Sequence, residues 1–357
     1  MFCRAIATVL LAAGILAYAV VAQAVVTIPT VWVTNPGNAN DSTGYGGVDY
    51  VYRMGKYEVT NSQYCEFLNN RAVTDTYALY NTSMSSDARG GINRSGSSGS
   101  YSYAVKSGYD NMPVTFVCWY DCVRFANWLQ NGQGISPGTG DTEGGTYKIT
   151  GGGPNSGTVE VPDAATRATW TAANPHWVLP SENEWYKSAY HQPSGQGGDA
   201  DGYWAYPTAT NTEPHSDNPA SLAFPTNSAN FYRDDSVANG YDDGYAVTGS
   251  TGYVSTQNYL TNVGAYTQSD SFYGTFDQGG NVWEWNEALI GSSRGLRGGV
   301  WSNYSYSLLS SYRYYINPAF ESSLIGFRVA SVPEPGSITM LLGIALTMLL
   351  YCWRKHV

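Results

Sequence analysis

Apolar residues recur at helical spacing in only three short stretches of this chain. In residues 61–70, Tyr64, Phe67 and Leu68 fall on one side, and Thr60 stands where an N-cap hydroxyl is needed. In residues 120–130 the apolar positions are Val123, Ala126, Trp128 and Leu129, and the pattern stops at Asn131-Gly132. The third stretch follows Leu179-Pro180. There Ser181, with Glu184 three residues on, makes a capping box that predicts a helix through Trp185 to Tyr190. Between these lie residues 83–103, 132–157 and 192–217, rich in Gly, Ser, Pro and Asp, which read as loops or weak hairpins. No self-similar period stands out, so a repeat array is not expected.

The two ends have a different pattern. Residues 1–24 open with Arg4, continue with an apolar run from Ala5 to Val21 and end on Ala22-Gln23-Ala24, the pattern of a signal peptide. At the other end, Pro333-Glu334-Pro335 precedes a nearly all-apolar run over 337–353 and then Arg354-Lys355-His356. An ordinary single-pass transmembrane helix is one reading. The three parts in this order, over residues 332–356, resemble a PEP-CTERM sorting tail. That resemblance implies export across the inner membrane of a bacterial cell, transient anchoring, and removal of the tail by an exosortase-type sorting enzyme. The protein would then remain at the cell surface or be secreted.

Between these ends, residues 25–47 read as a lead-in and 48–330 as one large domain. Removing Arg4, Arg354 and Lys355 from the 18 basic side chains, and Glu334 from the 28 acidic ones, leaves 15 against 27. So acidic a chain is not expected to bind nucleic acid. It suits a protein that meets cations, glycans or other proteins outside the cytoplasm. Cys3 and Cys352 lie in the end segments, leaving Cys65, Cys118 and Cys122, an odd number that cannot all pair internally. Cys118 and Cys122 are one helical turn apart, where a disulfide would be strained, so buried free thiols are expected.

Chemistry concentrates near the C-terminus, in Gly279-Gly280-Asn281-Val282-Trp283-Glu284-Trp285, Arg297-Gly298-Gly299-Val300-Trp301, Arg313 and Gly326-Phe327-Arg328. So many glycines around one carboxylate predict a sharp turn that presents carbonyls and Glu284 to a partner, with a hard cation as the first candidate. These motifs follow Met54-Gly55-Lys56-Tyr57-Glu58-Val59-Thr60-Asn61, Met112-Pro113-Val114, Trp119-Tyr120-Asp121, Ala126-Asn127-Trp128-Leu129 and Leu179-Pro180-Ser181-Glu182. In this order they resemble the formylglycine-generating enzyme (sulfatase-modifying factor) family over nearly all of the chain between its ends. The resemblance implies an α+β fold, a loop-rich variant of the C-type lectin-like fold with little regular secondary structure.

The same resemblance implies a copper(I) site of two cysteines shortly after the Arg-Gly-Gly-x-Trp motif. Here Asn303 and Leu308 occupy those positions, and neither can supply the soft thiolate that copper(I) prefers. Copper is therefore not expected, nor are catalytic residues. The family's iron-dependent sulfoxide synthases use three histidines, whereas this chain has only His176, His191, His215 and His356, with no His-x-x-x-His pair. A structural calcium ion is the cofactor the resemblance implies, held by Asp277, the carbonyls of Gly280 and Val282, and Glu284. Asn230 and the Phe231 carbonyl would belong to a second calcium site. The alternative for Glu284 is an ion pair with an arginine such as Arg297 or Arg313.

Trp301, Asn303, Tyr304, Tyr306 and Arg313 stand where the enzymes have an active-site wall and are the candidate ligand-binding residues; Tyr312, Tyr314 and Tyr315 add to the aromatic content there. The Tyr-Ser-Tyr-Ser alternation equally suits a half-buried strand. Two functions follow: a calcium-stabilised module binding an extracellular glycan or protein, or an active formylglycine-generating oxidase or other metal-dependent protein-modifying enzyme.

Overall fold

The computed structural model describes residues 25–134, 140–171 and 175–332. The predicted signal peptide and the sorting tail beyond Val332 lie outside the described residues. None of the described helices is long and apolar enough to cross a membrane.

The three helices form where the periodicity places them. Helix α1, Asn61–Arg71, begins with a capping box in which Thr60 and Gln63 bind each other's backbone N–H. Helix α2, Trp119–Gln130, begins where the Asp121 carboxylate accepts from the Cys118 N–H. Helix α3, Glu182–Tyr190, has the Ser181/Glu184 box. Burial is nearly complete along α3, including Glu184 and Lys187, so its polar side chains must find partners inside the protein.

Two four-stranded sheets are the largest strand assemblies among the described residues. The first has the order β1 (Thr30–Val33), β2 (Tyr52–Gly55), β8 (Ala330–Val332), β3 (His176–Val178), all antiparallel. The second has the order β6 (Tyr314–Ile316), β5 (Ser293–Arg297), β4 (Trp283–Ile290), β7 (Ile325–Gly326). Here β7 runs parallel to β4 and the other pairs are antiparallel. Of the segments read as loops or weak hairpins, two form most of a hairpin each, Ile92–Ser95 with Ser102–Val105 and Lys148–Gly153 with Ser156–Glu160.

Aromatic rings knit helices and sheets together. Phe125 of α2 lies 5.4 Å from Phe67 of α1 and 5.4 Å from Phe327, both edge-on, and Tyr64 packs on the same group. Phe327 is thereby fixed between the helices. Its neighbour Arg328 turns the other way, into a fully buried ion pair with Glu284 of β4. Cys65, Cys118 and Cys122 are buried free thiols.

Arg328→Met leaves Glu284 ionised and unpaired in the interior, and is expected to cost about 3–5 kcal/mol in urea unfolding. Adding Glu284→Gln should recover much of that loss. A single-variant loss below about 1 kcal/mol would contradict the assigned role of the pair.

Candidate functional site

The 277–284 loop turns on residues with left-handed backbone angles: Asp277 (φ 59°), Gly280 (φ 87°) and Asn281 (φ 57°). At Gly280 a Cβ would sit 2.2 Å from the Asn230 carbonyl, so glycine is required there. Asn281 fixes the turn from within. Its amide donates to Glu58 Oε1 at 2.9 Å, and its Oδ1 accepts from Asn230 Nδ2 at 3.0 Å and from the Thr261 N–H at 3.1 Å. A parallel bridge joins Asn230 to Gly280, bringing the two predicted calcium places side by side. The Phe231 carbonyl accepts from Ser216 Oγ, and Val282 is buried.

Glu284 has an arginine partner, though not one of the two proposed from sequence. Arg328 donates from Nε and Nη2 to its two oxygens at 2.6 Å each, and Trp185 Nε1 adds a bond of 2.8 Å. Arg297 and Arg313 instead meet at Glu182, donating through Nε at 2.9 and 2.7 Å. The reason is topological: Glu182 opens α3 beneath the ends of β5 and β6, whereas Phe327 packing brings Arg328 under β4.

Around Arg328 there are more carboxylates than one guanidinium can neutralise. Asp277, half-buried, is pushed up to about 6 by burial, while the Gly264 N–H and Arg328 pull it down and Glu284 raises it. Glu58 is driven well above the usual carboxylate range, by burial first and Asp277 second. Its Oε2 is buried without a hydrogen-bond partner. A cation beside these carboxylates would favour their ionised forms, so the cluster suits one. Among the described residues no three His, Cys, Asp or Glu side chains converge as a metal-binding group, so a cation here would depend on backbone oxygens beside Asp277.

The second region is an aromatic strip. Its rings succeed one another at centroid spacings of 4.6–5.9 Å from Tyr259 through Tyr245, Tyr232 and Tyr304, and again from Tyr306 through Tyr312 and Trp283 to Tyr314. Tyr304 and Tyr306, 6.4 Å apart, join the two runs. Trp301 lies flat on Tyr259 at 4.7 Å, with Tyr253 beside them. At one end a cavity of about 330 Å³ is lined by Trp283, Asn303, Tyr306, Tyr312, Tyr314 and Phe320 among others. The Asn303 Oδ1 is covered and unpartnered.

The strand expected from the Tyr-Ser alternation is a 3₁₀ turn, Ser305–Leu308, that leaves Tyr304 and Tyr306 more than half exposed. The Tyr304 carbonyl accepts from both the N–H and the Oγ of Ser307, which closes the turn, and Tyr190 Oη donates to the Leu308 carbonyl at its end. Of the predicted ligand residues, Asn303 and Tyr306 line the cavity, Tyr304 continues the strip, and Trp301 is buried beneath it. Arg313 is held by both oxygens of Glu182. Sequence reasoning missed Tyr232, Tyr245, Tyr253, Tyr259, Trp283 and Phe320. Trp283 could have been found, since it alternates with the inward Glu284.

A family model described as the sulfatase-modifying factor enzyme 1-like domain matches residues 48–332. Among solved structures, the crystal structure of CarF is 19% identical, covers 86% of this chain and 99% of its own, and has a TM-score of 0.50, a likeness of fold. Treponema denticola variable protein 1 is 19% identical, with coverage of 87% and 97% and a TM-score of 0.46. PvdO from Pseudomonas aeruginosa is 15% identical, with coverage of 85% and 92% and a TM-score of 0.40. No curated protein matches the chain.

Because Asp277 is raised to about 6, its proton stabilises the folded state fully below about pH 3.8, and that contribution is lost as pH rises through about 6. In chelator, Asp277→Asn should therefore be more stable than the parent at pH 7, with the advantage shrinking toward pH 4. For a half-buried group the expected difference is about 1 kcal/mol, read from thermal unfolding at the two pH values. An advantage independent of pH would contradict the assignment.

Proposed function

The chain belongs to the sulfatase-modifying factor enzyme 1-like family, and on that premise we propose that it acts outside the cytoplasm as a ligand-binding module and not as a copper oxidase. One observation carries this reading. The two positions that resemblance assigns to the copper cysteines are Leu308, fully buried against Phe231 and Tyr206, and Asn303, which lines the aromatic cavity.

The remaining thiols offer no substitute. Burial pushes Cys118 and Cys122 far above the ordinary thiol range, and Cys65 up to about 11. Such groups stay protonated at neutral pH and do not supply thiolates. Of the two positions the resemblance gives to the metal, only Asn303 borders the aromatic cavity, and Leu308 fills a buried apolar contact.

Calcium belongs to the same proposal as a structural ion. Asp277 and the carbonyls of Gly280 and Val282 would hold it, Glu284 entering with its charge already balanced by Arg328, and Asn230 with the Phe231 carbonyl would serve the adjoining place. When bound, the ion would neutralise the surplus carboxylate charge around Arg328 and brace the turn from which β4 starts. Export followed by tail cleavage by an exosortase-type enzyme, leaving the domain at the cell surface or secreted, completes the reading.

Two measurements test it. After exposure to copper(I) under reducing conditions, elemental analysis should find well below one copper per chain, and a Cys-x-Pro-x-Arg peptide should remain unoxidised. Stoichiometric copper with peptide turnover would overturn the proposal and restore the oxidase. Calcium at about tenfold its Kd should raise the Tm by roughly 2–4 °C over chelator, and Asp277→Ala should abolish the rise. A calcium response that survives this substitution would exclude the 277–284 loop.

A further inference from the structure

We infer that the aromatic cavity binds a neutral sugar ring of a glycan chain, with the Asn303 amide as its polar anchor; this rests on the reading of the chain as a binding module. The first ground is charge. The cavity is lined by aromatic, aliphatic, Asn and Ser side chains and by no charged group. Arg313, the nearby cation proposed from sequence, is bound to both oxygens of Glu182. A phosphate, a carboxylate or an ammonium group entering the cavity would lose its hydration without gaining a counter-charge.

The second ground is the arrangement of the rings. Trp283 meets Tyr312 at 5.9 Å and 31°, and Tyr314 at 5.7 Å and 33°. These three rings tile a surface, from whose edge Tyr306 rises at 55° to Tyr312, and they do not close a box around a point charge, which is how aromatic cages hold quaternary ammonium groups. A tiled surface presents π faces to the C–H groups on one side of a pyranose, whose hydroxyls point outward from the ring edge.

The third ground is an unmet polar demand. Asn303 Oδ1 is covered and has no hydrogen-bond partner, a costly state for a buried acceptor, and a turn of the Asn303 side chain toward the cavity it lines would let a ring hydroxyl relieve it. Ser322 and the hydroxyls of Tyr306, Tyr312 and Tyr314 line the same cavity as neutral groups able to donate or accept. At about 330 Å³ the space lies at the small end of the roughly 300–1,000 Å³ typical of small-molecule sites. Tyr304 and Tyr315, 55% and 51% exposed, carry the aromatic surface beyond it, as a chain of sugars would require.

The full chain should be titrated calorimetrically with cellotetraose, chitotetraose and mannotetraose, and in parallel with choline and a proline-rich peptide. At least one tetrasaccharide is expected to bind with a Kd below about 1 mM. Tyr306→Ala and Tyr314→Ala should each weaken that binding about tenfold. Both residues are 43% or more exposed, so an unchanged Tm should accompany the loss. Asn303→Ala should weaken binding about fivefold, and Asn303→Asp should not rescue it at pH 7. Binding of choline or the peptide alone, lost in the tyrosine variants, would overturn the sugar assignment while keeping the groove as a binding site. Sugar binding indifferent to both tyrosine substitutions would overturn the location. Failure of every probe would overturn the sugar assignment and remove the groove from the proposed function as well.

Discussion

The buried ion pair between Glu284 and Arg328 is the constraint on which the other parts of the molecule converge. Besides its two bonds to Glu284, Arg328 donates to the carbonyls of Gly55 and Phe276, and Glu284 also accepts from Trp185. One guanidinium and one carboxylate thus tie together β2, the loop before residue 277, helix α3, β4 and the segment after β7. Removing two charges from water is costly, and hydrogen bonds to the remaining donors and acceptors offset that cost. A fold with so few helices and long strands leaves many backbone carbonyls without ladder partners, and buried arginines are well suited to collect them.

Two further arginine nodes repeat the device. Arg167 bridges Glu184 and Glu287, with Tyr50 and Tyr147 donating to the same carboxylates. Arg297 and Arg313 share Glu182, and Arg297 also fixes the carbonyls of Ser310 and Tyr312. This last node lies directly behind the aromatic wall. It holds residues 310–313 in a path that lets Tyr312 line the cavity. The polar interior therefore does for this aromatic surface what a regular sheet does in other folds: it fixes the rings, so that little ordering entropy would oppose binding of the proposed ligand.

What the sequence revealed is what short-range chemistry decides. The N-cap at Thr60, the capping box at Ser181 and the sharp turn at Gly280-Asn281 all follow from neighbours a few residues apart. The partner of Glu284 did not follow, because Arg328 is 44 residues away and Arg297 and Arg313 looked equally available. Only the packing of Phe327 and the competing claim of Glu182 decide among them. The Tyr304 to Ser307 alternation misled because the period fits a strand, whereas Ser307 bonds back to the Tyr304 carbonyl and Tyr190 of α3 holds the Leu308 carbonyl. Tyr232, Tyr245, Tyr253 and Tyr259 join the strip through tertiary contacts that no local pattern records.

The arginine nodes preorganise the aromatic surface, and native-state hydrogen exchange tests this directly. Amides in residues 297–316 that are hydrogen-bonded in the structure, such as those of Trp301, Asn303, Ser307 and Tyr312, should open only with free energies near that of global unfolding. Exchange of these amides through low-energy local opening would mean that the wall is mobile, and would contradict preorganisation.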